Sequence, residues 1–438
     1  MSIKHLYEDE RPTLLLDFAN SKTLDPRITC TRNSTATYVD EAGIIKTAAA
    51  GEARFDHDPA TGESIGLLIE ESRTNSCLHS EDVTVSPWTV SGATVTANAT
   101  TAPDGTSTAD AVFETSATGQ HYLGYAVQPF QNIATSIFVK PNGRDNVALR
   151  VLVNGGNWAT VVFNLTGSGS VTQITDTTGL SHEGSSIIAV GNGWYRISLT
   201  TNYTSSVNQY PILVSTCTSS TPTLGGFGAE EFAGDVTKGV YVWGAQFEYE
   251  EGFPTSYIPT SGSTVTRNAD QCVFNDSNIF APSSGTFIAD ATLFANDASD
   301  LQNEYVFLAL AATDADSVSI TAGQTYSVQV LDSSIGPGYN FTGLINYPAY
   351  TKGVRLTTAA AYAPGPSGSS SADVVYASDG AMRGTNTGTG GSTTPTGMYQ
   401  MYLFRNPTSP NSEATGYLHK LAFYPTRLPN SALEALTE

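Results

Sequence analysis

Two stretches, TGESIGLLIEESRTN at 61–75 and YVWGAQFEYEEGFPTSYIPTSGSTVTRNAD at 241–270, decide how this chain is read. In the first, a polar turn bearing Gly62 hands over to an apolar run that ends at Ile69. In the second, Tyr241, Trp243, Ala245, Phe247 and Tyr249 fall at alternate positions, the period of a half-buried strand. The segment FPTSYIPTSG then sets Pro254 and Pro259 five residues apart, with Gly262 behind them. Prolines deny a ladder its donors, so this segment is expected as an extended surface strap between domains. Trp88, Trp158, Trp194 and Trp243 all lie between residue 75 and the strap.

Working outward, strand-like runs such as YLGYAVQ, TSIFVKP, VALRVLVN, WATVVFNL and WYRISLTT recur between turn residues from about 76 to 265. That spacing favours a sandwich over a parallel sheet with helices. A second series, including TFIADATLF, ADVVYASDG and GYLHKLAFYPTRLP, runs from about 271 to the end. Ahead of both, ATYVDEAGIIKTA reads as a hairpin whose tight turn uses Gly43. Ser431 with Glu434 three residues on forms a capping-box pattern for a short C-terminal helix. PGPSGSSSAD at 364–373 and RGTNTGTGGSTTPTG at 383–397 are expected as long loops. The tripeptide TRN at 31–33 returns at 266–268, a repeat short enough for coincidence.

The first quoted stretch resembles the entry into, and the second the exit from, a carbohydrate-binding-module-like jelly roll of tailed-bacteriophage structural proteins, fibre-like ones especially. The ending HKLAFYPTRLPNSALEALTE resembles the last strand and short helix of a concanavalin-like, laminin-G-like jelly roll. The expected fold is therefore all-β. An N-terminal hairpin lead-in (1–75) precedes two tandem jelly-roll β-sandwich domains (76–265 and 266–438), with a short helix at the end. The resemblance implies a virion component of fibre or spike type on the exterior, on tail or capsid, synthesised in the bacterial host cytoplasm. Its implied partners are other virion proteins, further copies in a homotrimer, and host-surface polysaccharide, for which weak sites gain by multivalency. Two rivals stay open: a capsid decoration or head-fibre protein, and a polysaccharide-processing enzyme with an accessory binding module.

Composition narrows the partners. With 41 acidic and 20 basic residues the formal net charge is −21, a field that repels polyanions and excludes nucleic acid as an expected partner. The longest apolar run, VFLALAA at 306–312, is too short to span a bilayer, so no membrane insertion is expected. The N-terminal MSIKHLYEDERPT lacks the apolar core of a secretory signal. Cys30, Cys77, Cys217 and Cys272 are scattered without a CxxC pair and are expected as buried free thiols.

Candidate chemistry is sparse. Gly62-Glu63-Ser64-Ile65-Gly66 matches the GxSxG pattern of a nucleophile elbow, but DHDPAT precedes it and β-like LLIEE follows. That chemistry needs a strand before the serine and a helix after it, so a turn is expected and no catalytic residue is assigned. Adjacent acids at Glu70-Glu71, Glu230-Glu231 and Glu250-Glu251 would point to opposite faces of a strand, whereas a glycosidase needs two facing one cleft. Asp56 and Asp58, flanking His57, are weak candidates for a structural divalent cation such as calcium, although Pro59 and Gly62 already explain a turn there. No other cofactor is expected. Aromatic rings can carry the apolar face of a sugar. Trp158, after a Gly-Gly turn, is the first glycan-binding candidate, with Tyr122 and Tyr125 second, while Trp88, Trp194 and Trp243 are expected in packing roles.

Overall fold

The computed structural model describes residues 11–130, 132–153, 156–203, 207–249, 252–280, 283–294, 305–313, 316–322, 326–331, 340–345, 353–365, 373–385, 398–405 and 414–438. Most of the two expected long loops, and Glu250-Glu251, lie outside these residues. The described chain is all-β, built of antiparallel sheets, with a short helix at Asn430–Leu436. Its two sandwiches are not woven in the same way.

The first sandwich is contiguous. One 6-stranded sheet runs Ser170–Asp176, Asn157–Asn164, Asn146–Val153, Val207–Cys217, Tyr122–Phe130, Trp88–Ser91 in spatial order. The other runs Leu180–Ala189, Tyr195–Tyr203, Ile133–Asn142, Gly239–Tyr249, Ala109–Glu114, Ala93–Thr100. Alternate residues such as Val147, Leu149, Val151, Val161, Phe163, Ile197 and Leu199 meet between the sheets in one dry core. Burying them is the main stabilising term, about 25 cal/mol per Å² of apolar surface.

The second sandwich is assembled from both ends of the chain. Its 8-stranded sheet centres on Gly416–Tyr424, which pairs with Gly285–Leu293 on one side and with Ser64–Ile69 and Leu14–Asp17 on the other. The facing 7-stranded sheet begins Ile28–Thr31, Gln271–Asn275, Gln400–Leu403. Residues 14–69 thus supply strands to both sheets, and the first sandwich is an insertion between Asn75 and Val265, whose strands Arg73–Asn75 and Val265–Arg267 pair as a two-stranded neck. Asn75 holds the neck: its amide donates to the carbonyls of Ala245 (3.1 Å) and Ile258 (2.8 Å), and its Oδ1 accepts from the amides of Cys77 and Phe247.

Four readings are corrected by the structure. Cys30 and Cys272, paired across neighbouring strands, form a disulfide, while Cys77 and Cys217 are free and buried. Spacing carried no sign of this bond because the two cysteines are 242 residues apart. The alternation from Tyr241 to Tyr249 is broken by a bulge beside Gly244, whose φ is +62°. One extra residue flips every later side chain, so Trp243 faces outward while Ala245 and Phe247 enter the core. The strap is not a surface connection: Phe253, Thr255, Tyr257, Ile258 and Thr260 are all buried. The C-terminal helix is capped at Pro429 without a side-chain hydrogen bond, which places Ser431 inside its first turn and leaves the capping box unformed.

Where neck, strap and second sandwich meet, three arginines and two carboxylates are sealed from water. Arg54 pairs with Glu70 (2.7 Å) and with Asp270, Arg267 with Glu70 (3.0 Å), and Arg32 with Asp270 (2.6 Å). Ser256 of the strap donates from its amide (2.8 Å) and hydroxyl (2.6 Å) to Glu70. Arg32 and Arg267 are the central residues of the two TRN tripeptides, so the short repeat marks two strands that end in one cluster. Burial alone would raise the Glu70 carboxyl, but the charges of Arg267 and Arg54 and the Ser256 hydrogen bonds outweigh it and hold it down at about 2. A depressed carboxyl contributes stability that is present above its ordinary value of 4.5 and is lost as pH falls through about 2. Glu70→Gln should therefore cost about 3–5 kcal/mol in urea unfolding at neutral pH, since it strands buried arginine charge. It should also flatten the acid limb of stability between those two pH values.

Candidate functional site

A cleft of about 760 Å³ lies between the outer face of the inserted sandwich and the N-terminal hairpin with its strap. One wall is the sheet face carrying Ser186, Arg196, Ser198 and Thr200; the opposite wall carries Tyr38, Asp56, His57, Asp58 and Tyr417. The strap closes one side with Phe253 to Tyr257. The hairpin Ala36–Val39 and Ile45–Ala48 holds its wall through Ile45, which packs with Phe138, Trp194, Trp243 and Tyr257 in a cluster joining the hairpin and strap to the inserted sandwich. Its turn forms as expected, with Asp40 Oδ1 accepting from the amides of Ala42 and Ile44 and Gly43 at φ +73°.

The cleft combines aromatic and hydroxyl surface. Phe253, Phe294 and Tyr417 form a row, with ring centres 6.1 and 5.4 Å apart. Ser186 and Ser198 share a hydrogen bond of 2.7 Å on the opposite sheet. Asp56 accepts from the Val39 amide (2.6 Å) and from the Tyr417 hydroxyl (2.7 Å); burial raises its carboxyl despite those bonds. Arg196 donates to Ser136 (3.0 Å) and to the Thr255 carbonyl (2.7 Å), and burial lowers it. Glu70 has its charge met by Arg54 and Arg267, but Asp56, Asp58 and Glu183 still outnumber Arg196 among the other lining charges, so the cleft disfavours an anionic guest.

Asp56 and Asp58 both reach the cleft, yet both carboxylate oxygens of Asp56 and one of Asp58 are already engaged. Asp58 Oδ1 caps its own turn, accepting from the amides of Ala60 (2.8 Å) and Thr61 (2.9 Å). Among the described residues no three His, Cys, Asp or Glu side chains converge as a metal site. The glycines of the GxSxG pattern have steric reasons: a Cβ at Gly62 would lie 2.6 Å from the Glu41 carbonyl, and one at Gly66 2.6 Å from that of Leu418. Ser64 opens the strand Ser64–Ile69, and no helix follows. Glu70 is tied up in the arginine cluster and Glu71 pairs with Arg73 (2.5 Å).

The three aromatic candidates sit elsewhere, on the other sheet of the inserted sandwich. Tyr125 points into its core beside Trp88 (5.0 Å), and burial pushes its hydroxyl up to about 12. Tyr122 and Trp158 are half-buried on the outer face, Tyr122 beneath the Arg150 guanidinium at 5.4 Å. Trp88, Trp194 and Trp243 have the packing roles expected of them. The cleft's own aromatic row could not be found from periodicity, because Phe253, Phe294 and Tyr417 come from three distant segments. The signal in the sequence was the DHDP turn, read as a turn and a weak cation candidate, and the strap, read as a connection.

No family model matches the sequence, and no curated protein matches it. Among solved structures, the chain aligns over 37% of its length with the NanB sialidase of Streptococcus pneumoniae, at 12% identity and a TM-score of 0.29. It spans only 26% of that chain. It aligns over 37% with the Ruminococcus gnavus IT-sialidase CBM40, covering 86% of that chain at 13% identity and a TM-score of 0.28. It aligns over 43% with domain 4 of AbnA, a GH43 extracellular arabinanase from Geobacillus stearothermophilus in complex with arabinotriose, covering 83% of that chain at 14% identity and a TM-score of 0.29. Likenesses this distant carry no argument about what the present chain binds.

The Ser64 hydroxyl oxygen is buried with no hydrogen-bond partner among the described residues. Ser64→Ala should leave the thermal midpoint unchanged or raise it, because an unsatisfied buried hydroxyl contributes nothing to hold the fold. A drop of several degrees in calorimetry would contradict this placement.

Proposed function

We propose that this chain is a carbohydrate-binding β-sandwich protein and that the cleft between its sandwiches takes an uncharged oligosaccharide segment. The observation that carries the reading is the facing of an aromatic row, Phe253, Phe294 and Tyr417, by the hydroxyls of Ser186, Ser198 and Thr200 across about 760 Å³. That volume falls in the range of about 300–1,000 Å³ typical of small-ligand sites. A sugar ring presents an apolar face and a rim of hydroxyls, which is the complement of these walls.

We further propose that the protein serves on the exterior of a virion as a fibre or spike component, binding host-surface polysaccharide as a homotrimer. The quoted stretches support this by their resemblance to phage structural proteins. The acidic charge is compatible with a binding role away from nucleic acid. Immunogold microscopy of intact particles tests the placement: label on tail or capsid surface supports it, and particles free of label overturn it. Solution mass tests the trimer.

Gly184 lines the cleft, and a Cβ built there meets nothing within 4 Å. Gly184→Trp should fill the cleft without disturbing the fold. Calorimetric titration with neutral tetrasaccharides should then show binding weakened at least tenfold, with acidic sugars binding poorly to both proteins. Undiminished binding by the substituted protein would place the sugar elsewhere.

A further inference from the structure

On the face of the inserted sandwich away from the cleft, the turn GGFG at 225–228 crosses the outside of the sheet that carries Tyr122, Arg150 and Trp158. Its carbonyls are gripped one after another. Gln120 Nε2 donates to Gly226 (2.8 Å), an Arg150 guanidinium nitrogen to Phe227 (2.6 Å), and Thr160 Oγ1 to Gly228 (2.8 Å). The Trp158 ring lies so close beneath that a Cβ at Gly228 would collide with it and with the Thr160 hydroxyl. Arg150 is itself buried, rests on the Tyr122 ring, and is lowered to about 10 by burial. Tyr122 and Trp158, the aromatic rings that drew notice in the sequence, are thus supports of this turn.

What they support is Phe227. Its backbone is held at φ 61°, ψ 21°, the left-handed conformation that a bulky residue rarely adopts, yet its side chain is 56% exposed. Gly225, Gly226 and Gly228 flank it, and a fourth glycine would take that conformation without steric cost. The phenyl ring therefore adds nothing to the turn's geometry and stands out in solvent on a rigid mount. Strain kept where the surroundings enforce it is a mark of functional surface.

We propose that Phe227 is a stacking platform for a single uncharged sugar ring, forming a second binding site on the opposite face from the cleft. Beside the turn, Gln120 Nε2 spends its hydrogens on the Gly226 carbonyl (2.8 Å) and on Glu231 Oε1 (3.4 Å), so Gln120 Oε1 and the other Glu231 oxygen are the acceptors offered to the sugar's hydroxyls. The carboxylate there, on a chain of net charge −21, disfavours an acidic sugar. The site shares its ligand class with the cleft reading but none of its residues. Contact with another copy of the chain is the rival occupant, and the experiment separates the two.

The test uses the full chain carrying Gly184→Trp, so that the cleft is filled, titrated by nuclear magnetic resonance with neutral tetrasaccharides of glucose, galactose and N-acetylglucosamine. Millimolar binding should remain, should fall at least tenfold on adding Phe227→Gly, and should be kept or strengthened by Phe227→Trp. Phe227→Gly should melt no lower than its parent because it relieves the strained backbone, so lost binding would not reflect lost folding. The proposal is overturned if the cleft-filled protein binds none of these sugars, if Phe227→Gly binds them as well as its parent, or if Phe227→Gly lowers the solution mass, which would put the ring in a contact between copies.

Discussion

The sealed cluster of Arg32, Arg54 and Arg267 with Glu70 and Asp270 is the constraint on which the rest of the architecture depends. Withdrawing five charges from water costs several kcal/mol per ion, and their attraction recovers this only when every partner is in place. The partners come from three parts of the chain: the N-terminal segment, the strap, and the strand leaving the neck. A half-assembled junction would hold a bare buried charge. The cluster therefore acts as an all-or-none condition on bringing the two ends of the inserted sandwich to one point, and the Cys30–Cys272 bond joins the same two segments nearby.

The cleft follows from that junction. Glu70 anchors Ser256, which sets the strap beside the inserted sheet, while Glu248 accepts from the Thr255 amide (2.9 Å) and hydroxyl (2.6 Å) to hold its other side. With the strap fixed, Phe253 lies against Phe294, and the Thr255 carbonyl takes the hydrogen bond of Arg196. The cleft is thus a by-product of solving the insertion problem, lined with whatever the two sandwiches present to each other. The proposed sugar site rests on these linings being an aromatic row on one side and hydroxyls on the other.

The two outer faces of the inserted sandwich are covered differently. One meets the hairpin through Ile45, Phe138, Trp194 and Trp243 and borders the cleft. The other is roofed by the GGFG turn, whose three gripped carbonyls convert a flexible glycine run into a rigid mount. Among the described residues no carboxylate pairs with buried Arg150, which donates instead to Ser215 (2.8 Å) and to the turn.

By itself, the amino-acid order determined the class of structure: period-two runs and Gly, Pro and Asn punctuation made the chain all-β, and local turns such as Asp40 to Ile44 are written in their own residues. It also marked the junction, because the stretches at 61–75 and 241–270 contain Glu70, Ser256, Arg267 and Asp270. Tertiary structure alone decided who pairs with whom. Leu14–Asp17 finds Gly416–Tyr424 some 400 residues away, a match that alternation cannot encode because every amphipathic strand offers the same pattern. The bulge at Gly244 turned Trp243 outward although the alternation of apolar residues runs unbroken through it. The same reason hides both proposed sites: a polar or aromatic side chain is spent or free according to neighbours supplied by distant segments, so Asp56 was consumed by Tyr417 and Phe227 was left standing in solvent.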